Sequence, residues 1–228
     1  MSNFSGCSAS SQNCKCFEKL SKEEIDFVES RSVRVNYKRG EIICKQGSLA
    51  SNIMYLEKGL AKVYIENGEN TLVLKILTEG NLLGLSSLGN GNGRFQYSVM
   101  TYVDSVVKQI DVNCFNQLLS QNPLFSKEVI DILGANSSQI NGRFFCLVHK
   151  QSFGRLADIL LCLSERIFMN ETFELPLSRK DLAELSGMSP ETVIRILKKF
   201  NEDGLIISDN KVIKILDFNR LQKISEAG

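Results

Sequence analysis

The stretch LSRKDLAELSGMSPETVIRILKKFNEDGLI, residues 177–206, decides the reading of the chain. It holds two helical patterns joined by Ser186-Gly187-Met188, and Gly187 falls where a tight interhelical turn needs a positive φ. Ser189 is placed to cap the second helix. Pro190 takes its first position, where a missing N–H costs nothing, and Glu191 lies in the first turn at the positive helix end. Val193, Ile196, Leu197 and Phe200 recur at helical spacing and supply a buried face, so Glu191, Thr192, Arg195, Lys198 and Lys199 project from the other.

Such a helix suits the major groove of DNA, which its N-terminal residues enter. Arg195 can give two parallel hydrogen bonds to guanine O6 and N7, and Glu191, one turn away, can accept from cytosine N4. Ile194 between them is a branched aliphatic suited to a thymine methyl. Ser178, Ser189, Pro190, Thr192, Lys198, Lys199 and Lys211 are the candidates for phosphate contact and positioning, which give affinity without sequence information. LIISDNKVIKIL after the helix alternates like a hairpin turning at Asp209-Asn210, with Lys211 and Lys214 on it, so the motif is winged. A plainer reading stands beside this one, in which Glu191 and Arg195 are a surface ion pair at i, i+4.

Upstream, FGRLADILLCLSERIF is an amphipathic helix and FELPLS a short extended piece ending at a cap. Residues 125–150 carry Leu133, Ile140 and Leu147 at a seven-residue period, with Ile130, Ser137 and Phe144 as a second row. One long helix with a heptad seam follows, either pairing with a second copy or packing on the same chain. From Val33 to about Asp111 the pattern is short strand-like runs (SVRVNY, EIICKQ, NIMYLE, LAKVYIE, TLVLKIL, FQYSVMTYV, SVVKQID) broken by turn signals such as ENGEN and LGNGNG. This spacing predicts an antiparallel β roll of the cupin-like jelly-roll kind rather than βαβ units. SKEEIDFVES before it is a helix with a Ser21/Glu24 capping box. The expected class is therefore α+β. Its parts are a Cys-containing leader at 1–20, a β roll at 21–122, a long helix at 123–151 and a winged helix-turn-helix at 152–228.

Composition fits a globular chain of 228 residues: 43% hydrophobic, 23% charged, only 3 prolines. No apolar run nears the roughly 18 residues of a spanning helix, and the start has no basic segment followed by an apolar one, so a cytoplasmic protein without a membrane partner is expected. P-loop, G-x-S-x-G and paired metal-binding histidines are all missing, which speaks against an enzyme. With 27 basic and 26 acidic residues the net charge is +1, a poor footprint for a nucleic-acid protein. Residues 151–228 are even net −1, with 11 basic against 12 acidic. The surplus is confined to residues 186–201, where Arg195, Lys198 and Lys199 face Glu191 alone. Weak non-specific DNA affinity is the consequence.

A β roll, a long helix and a winged helix-turn-helix carrying SPETVIR resemble the Crp/Fnr family of bacterial transcription regulators over nearly the whole chain, with glycines at family turn positions (Gly40, Gly47, Gly59, Gly80, Gly84). The resemblance implies a homodimer on a palindromic double-stranded DNA site, contact with RNA polymerase, and an effector or redox signal sensed in the roll or the N-terminal cysteines. It also implies that the roll at 21–122 is an effector-sensing domain, the helix at 123–151 a dimerisation helix and 152–228 a DNA-binding domain, with Glu191 and Arg195 as the base readers. The rival is a ligand-binding signalling module whose helix-turn-helix mediates protein contacts.

The sensor half departs from the family. Cyclic-nucleotide members hold phosphate with a Gly-Glu pair and an Arg-Ser or Arg-Thr pair, and here the effector-pocket candidates are Gly84, Leu85, Ser86, Arg94, Phe95 and Gln96. Leu85 replaces the Glu, Phe95-Gln96 replace the Arg-Ser, and Arg94 is one residue off, so cyclic AMP is not expected. Redox-sensing members bind a [4Fe-4S] cluster through three leader cysteines and one in the roll. Cys7, Cys14 and Cys16 are the metal candidates, but the family's fourth position holds Lys108, leaving Cys114 or Cys44 to substitute; unemployed or disulfide-forming thiols are the alternative. Haem is the third cofactor considered, with His149 as the only histidine. Cys146 and Cys162 lie among apolar residues as small core hydrophobes.

Overall fold

The computed structural model describes residues 14–88, 93–209 and 211–228. Cys7, residues 89–92 of the LGNGNG turn and Asn210 of the wing turn lie outside the described residues. Of the described residues, one compact unit holds 14–69 with Ile76–Ser137 and the other holds Asn70–Lys75 with Ser138–Gly228.

In the first unit a 3-10 turn at Cys16–Lys19 precedes helix α1 (Lys22–Ser30). Its capping box forms as the sequence predicts: the Glu24 N–H donates to Ser21 Oγ at 3.3 Å, and the Ser21 N–H donates to Glu24 Oε2 at 2.7 Å. Eight strands follow: β1 (Ser32–Tyr37), β2 (Ile42–Cys44), β3 (Asn52–Lys58), β4 (Leu60–Asn67), β5 (Asn70–Thr78), β6 (Leu82–Leu83), β7 (Ser98–Thr101) and β8 (Ser105–Asp111). They build two four-stranded sheets in the orders β1-β8-β3-β6 and β2-β7-β4-β5. Apolar partners meet across the ladders, Ile53 opposite Ile110 and Leu56 opposite Val107, all four fully buried. Gly59 is dictated by this packing: its φ is +120°, and a Cβ there would lie 2.1 Å from Ser105 Oγ.

Helix α2 (Val112–Gln121) is not anticipated by the strand reading of SVVKQID, which runs directly into it. Its signal is Asp111, whose carboxylate accepts the N–H groups of Asn113 (2.9 Å) and Cys114 (3.0 Å). Helix α3 (Pro123–His149) begins one residue after α2's cap. Cys16, Val28, Ile53, Ile110, Cys114, Phe115, Phe125 and Val129 form one core, with the Phe115 and Phe125 rings edge to face at 5.2 Å. The seam of α3 stays out of it: Leu133 is 40% exposed, Ile140 49%, Ile130 66% and Phe144 69%.

The second unit contains α4 (Ser152–Cys162), β9 (Thr172–Glu174), α5 (Arg179–Ser186), α6 (Pro190–Glu202), β10 (Ile206–Asp209), β11 (Val212–Ile215) and α7 (Phe218–Ala227). The single amphipathic helix expected over FGRLADILLCLSERIF ends its α-helical part at Cys162 and continues as a π-helical turn, Leu163–Phe168, closed by Met169 at φ +48°. Strand β9 joins the wing to give the order β10-β11-β9. Helix α7, unforeseen in the sequence, is capped by Asp217 and locked to α4: Lys150 Nζ donates to Asp158 and Ser225, each at 2.9 Å. No helix among the described residues is long and apolar enough to cross a membrane.

Candidate nucleic-acid interface

The turn between α5 and α6 fixes the reading helix. Ser178 and Asp181 form a capping box at the start of α5, and Gly187 ends the helix at φ +62°, ψ +41°. A Cβ on Gly187 would meet Leu147 Cδ2 of α3 at 3.1 Å, so the turn packs as tightly as its backbone is turned. Arg143, buried on α3, donates Nη2 to the Leu185 carbonyl at the end of α5, and burial pushes its guanidinium down to about 10. Ser189 then accepts the Thr192 N–H at 3.3 Å, with Pro190 leading α6.

Val193, Ile196, Leu197 and Phe200 are buried, and Phe200 meets Phe153 edge to face at 5.7 Å. Burying a side chain of this size contributes about 1.5–3 kcal/mol, enough to fix the helix rotation. Glu191, Ile194 and Arg195 therefore share the exposed face, Ile194 being 53% exposed. No ion pair joins Glu191 to Arg195 among the described residues, so neither charge is spent on the other. The Glu191 carboxyl is held below its ordinary range by its own backbone N–H at the helix start and by the Ser189 side chain, which keeps it an acceptor.

The phosphate candidates differ in readiness. Lys211 on the wing is exposed, and its ammonium has no partner among the described residues. Lys198 faces Glu202 at 3.8 Å and Lys199 faces Asp203 at 2.8 Å, so each ammonium has an acid one turn further on that a phosphate would have to compete with. The hydroxyls of Ser178 and Ser189 are spent on caps, and Thr192 Oγ1 lies 3.2 Å from Ser189 Oγ. Glu202 and Asp203 are the residues that sequence reading passes over, although their i, i+4 spacing from the lysines is legible.

In the roll, the candidate anion site is occupied by the chain's own side chains. The Gly84 N–H donates to Tyr97 Oη at 2.9 Å, Leu85 and Phe95 are buried, and Phe95 Cε1 sits 3.1 Å from where a Gly84 Cβ would be. Arg94 donates to the Gly47 carbonyl at 2.6 Å, and Gln96 donates to the Arg94 carbonyl at 3.0 Å. Ser86 Oγ is buried. A cyclic-nucleotide phosphate thus finds neither a free N–H at Gly84 nor a converging Arg, and the residues present do not fit that ligand. Tyr97, which makes the difference, is not among the residues the sequence singles out.

Nor do the described residues fit a four-thiolate cluster. The sulfurs of Cys14 and Cys16 are bonded to each other, and Lys108 donates to Glu29 at 2.5 Å with its Nζ 5.9 Å over the Phe17 ring. Cys114 is a buried thiol of the same core as Cys16, whereas Cys44 is buried elsewhere and pushed up to about 12 by burial. Among the described residues no three of His, Cys, Asp or Glu are grouped to hold a metal ion. His149 is exposed at the end of α3 with its ring 4.5 Å from Phe145, a surface stack that offers no haem pocket. Cys146 is a buried free thiol, as its apolar neighbours predict, whereas Cys162 is buried but disulfide-bonded rather than a simple core hydrophobe.

Residues 34–122 match the cyclic nucleotide-binding domain family, and residues 154–224 match the Crp-like helix-turn-helix domain family. The chain is similar to the transcriptional activator protein FnrA of Stutzerimonas stutzeri, 24% identical with 79% of this chain and 75% of the relative covered. It is likewise similar to the fumarate and nitrate reduction regulatory protein of Escherichia coli (strain K12), 23% identical with 96% and 92% covered. Its fold is that of FixK2 from Bradyrhizobium japonicum, with a TM-score of 0.77 over 85% of this chain and 96% of that one at 17% identity. With both domain families matched in this order along a single chain, the protein belongs to the Crp/Fnr family of DNA-binding transcription regulators.

Proposed function

We propose that this regulator works as a homodimer on a palindromic site, each copy presenting α6 to one major groove. Arg195 reads guanine, Glu191 reads cytosine, Ile194 meets a thymine methyl, and Lys211 with the α6 lysines holds phosphate. The observation that carries this reading is that Glu191 and Arg195 share one exposed face without pairing with each other, on a helix whose rotation is fixed by four buried side chains. The exposed seam of α3 supports pairing of two copies, which sets the two reading helices at a fixed half-site spacing. Work on DNA puts the protein in the cytoplasm, where RNA polymerase is the partner that would convert occupancy into transcription. The signal enters through the roll.

The test is Arg195→Ala on a site selected for the native protein. Loss of a bidentate base contact is expected to weaken specific binding by about ten- to hundredfold while leaving non-specific binding little changed. Unchanged specific binding would remove Arg195 from the reading head. A protein-contact role for the helix-turn-helix would show no steep salt dependence, whereas phosphate contacts produce one.

A further inference from the structure

The first unit contains a cavity of about 330 Å³ lying between strand β2 of one sheet and strands β3 and β8 of the other, with Phe95 on its wall. That volume is at the low end of small-molecule sites. Its inner wall is Ile43, Cys44, Met54 and Phe95, all buried and all uncharged. The Cys44 thiol, pushed up to about 12 by burial, remains protonated at any physiological pH, so nothing there answers an ionised group.

The mouth is different. Lys45 lines it and is exposed, and its ammonium makes no hydrogen bond or ion pair among the described residues. Asn52 stands beside it with a free carboxamide oxygen, since its Nδ2 donates to Ser51 Oγ at 3.1 Å. The Gly47–Ser48 segment beside the cavity is stitched to Phe95: the Gly47 N–H donates to the Phe95 carbonyl at 2.8 Å and the Phe95 N–H to the Ser48 carbonyl at 3.0 Å. Phe95 also touches the Gly84 turn, so anything that displaces its ring moves the turn as well.

A buried apolar wall of Ile43, Met54 and Phe95, edged by Ser51, Asn52 and Gln109 and with the Lys45 ammonium at its entrance, suits an amphipathic monoanion. We propose that the roll binds a small monocarboxylate with an apolar body, its tail against Ile43, Met54 and Phe95 and its carboxylate at Lys45. This rests on the reading of the roll as the sensor, and names the ligand class that sensor takes.

The experiment is calorimetric titration of the full-length protein with hexanoate and with hexanamide, its uncharged analogue, up to about 10 mM, a range that captures millimolar affinities. Saturable hexanoate binding is expected, about two- to fivefold tighter than the amide, as one exposed ion pair allows. Lys45→Gln is expected to bring the two ligands to equal affinity without loss of the amide. The exposed position of Lys45 keeps that variant folded. Absence of hexanoate binding, or an acid preference that survives Lys45→Gln, overturns the proposal. Retention of Arg195-dependent DNA binding in the same preparation shows that the cavity assignment alone has failed. Hexanoate that binds through Lys45 without altering DNA affinity upholds the ligand class and overturns the cavity as the regulatory input.

Discussion

The two lysines that follow Arg195 are restrained by the protein's own acids, and releasing them gives a measurable change. In Glu202→Gln with Asp203→Asn the partners at 3.8 and 2.8 Å lose their charge, and residues 151–228 pass from net −1 to net +1. The Asp203 carboxylate raises the Lys199 ammonium above its ordinary value through a direct hydrogen bond, so the ion pair is formed and has to be broken before Lys199 meets a phosphate. Helix integrity is little affected: acids near the C-terminus of a helix oppose its dipole, which offsets the lost i, i+4 pairs. Each ammonium that reaches a phosphate steepens the dependence of log K on log salt by about 0.9, so two of them add about 1.8 per subunit. Between about 200 and 50 mM KCl that makes non-specific affinity roughly tenfold more salt-sensitive than in the native protein. Fluorescence anisotropy on a random-sequence duplex across that salt range reads the slope directly. An unchanged slope with unchanged affinity would mean that Lys198 and Lys199 do not touch DNA.

Other outcomes follow from single positions. Gly187→Ala forces a side chain into a left-handed residue 3.1 Å from Leu147 and should destabilise the second unit by about 1–2 kcal/mol in urea; a neutral result would show the turn does not need its positive φ. Tyr97→Phe strands the Gly84 N–H and should cost about 1–3 kcal/mol in the first unit, with no loss expected if water replaces the hydroxyl. Cys44, with its ordinary value of 9.0 raised to about 12, favours the folded state below about pH 9, and that contribution falls away as pH rises from about 9 to about 12. Accordingly a thiol reagent at pH 8 should modify Cys44 far more slowly than an exposed cysteine, because its thiolate is scarce there, and labelling at the rate of a free thiol would contradict the raised value. Ile194→Ser should relax preference at one base pair of a selected site, and an unaltered site profile would remove Ile194 from the reading head.

The reading head was legible in the sequence because its determinants are local: Ser178, Gly187, Ser189 and Pro190 act on their own backbone within a few residues. The same holds for the Ser21/Glu24 box and for the strands of the roll, whose turn glycines interrupt alternating runs. What escaped the sequence depends on long-range packing. Helix α2 is signalled only by the Asp111 cap after a continuous strand pattern, and α7 is polar enough that its docking through Lys150, Asp158 and Ser225 cannot be anticipated from spacing. The closure of the Gly84 turn by Tyr97 joins residues 13 apart whose hydroxyl and N–H meet only once β7 is in place. The cavity, with walls from β2, β3 and β8, is equally invisible along the chain.

The stripe on α3 carries a consequence for how the regulator behaves in a living cell. A helix that leaves Ile130, Ile140, Phe144 and Val148 about half exposed or more on one side presents an apolar stripe suited to a second copy. When the protein is scarce relative to its self-association constant, the abundance of the DNA-competent pair grows with the square of chain concentration. Doubling expression would then quadruple that pair before any ligand arrives. Gene dosage and turnover therefore act as inputs in their own right, and the threshold at which targets respond is written partly into the apolar residues of one helix.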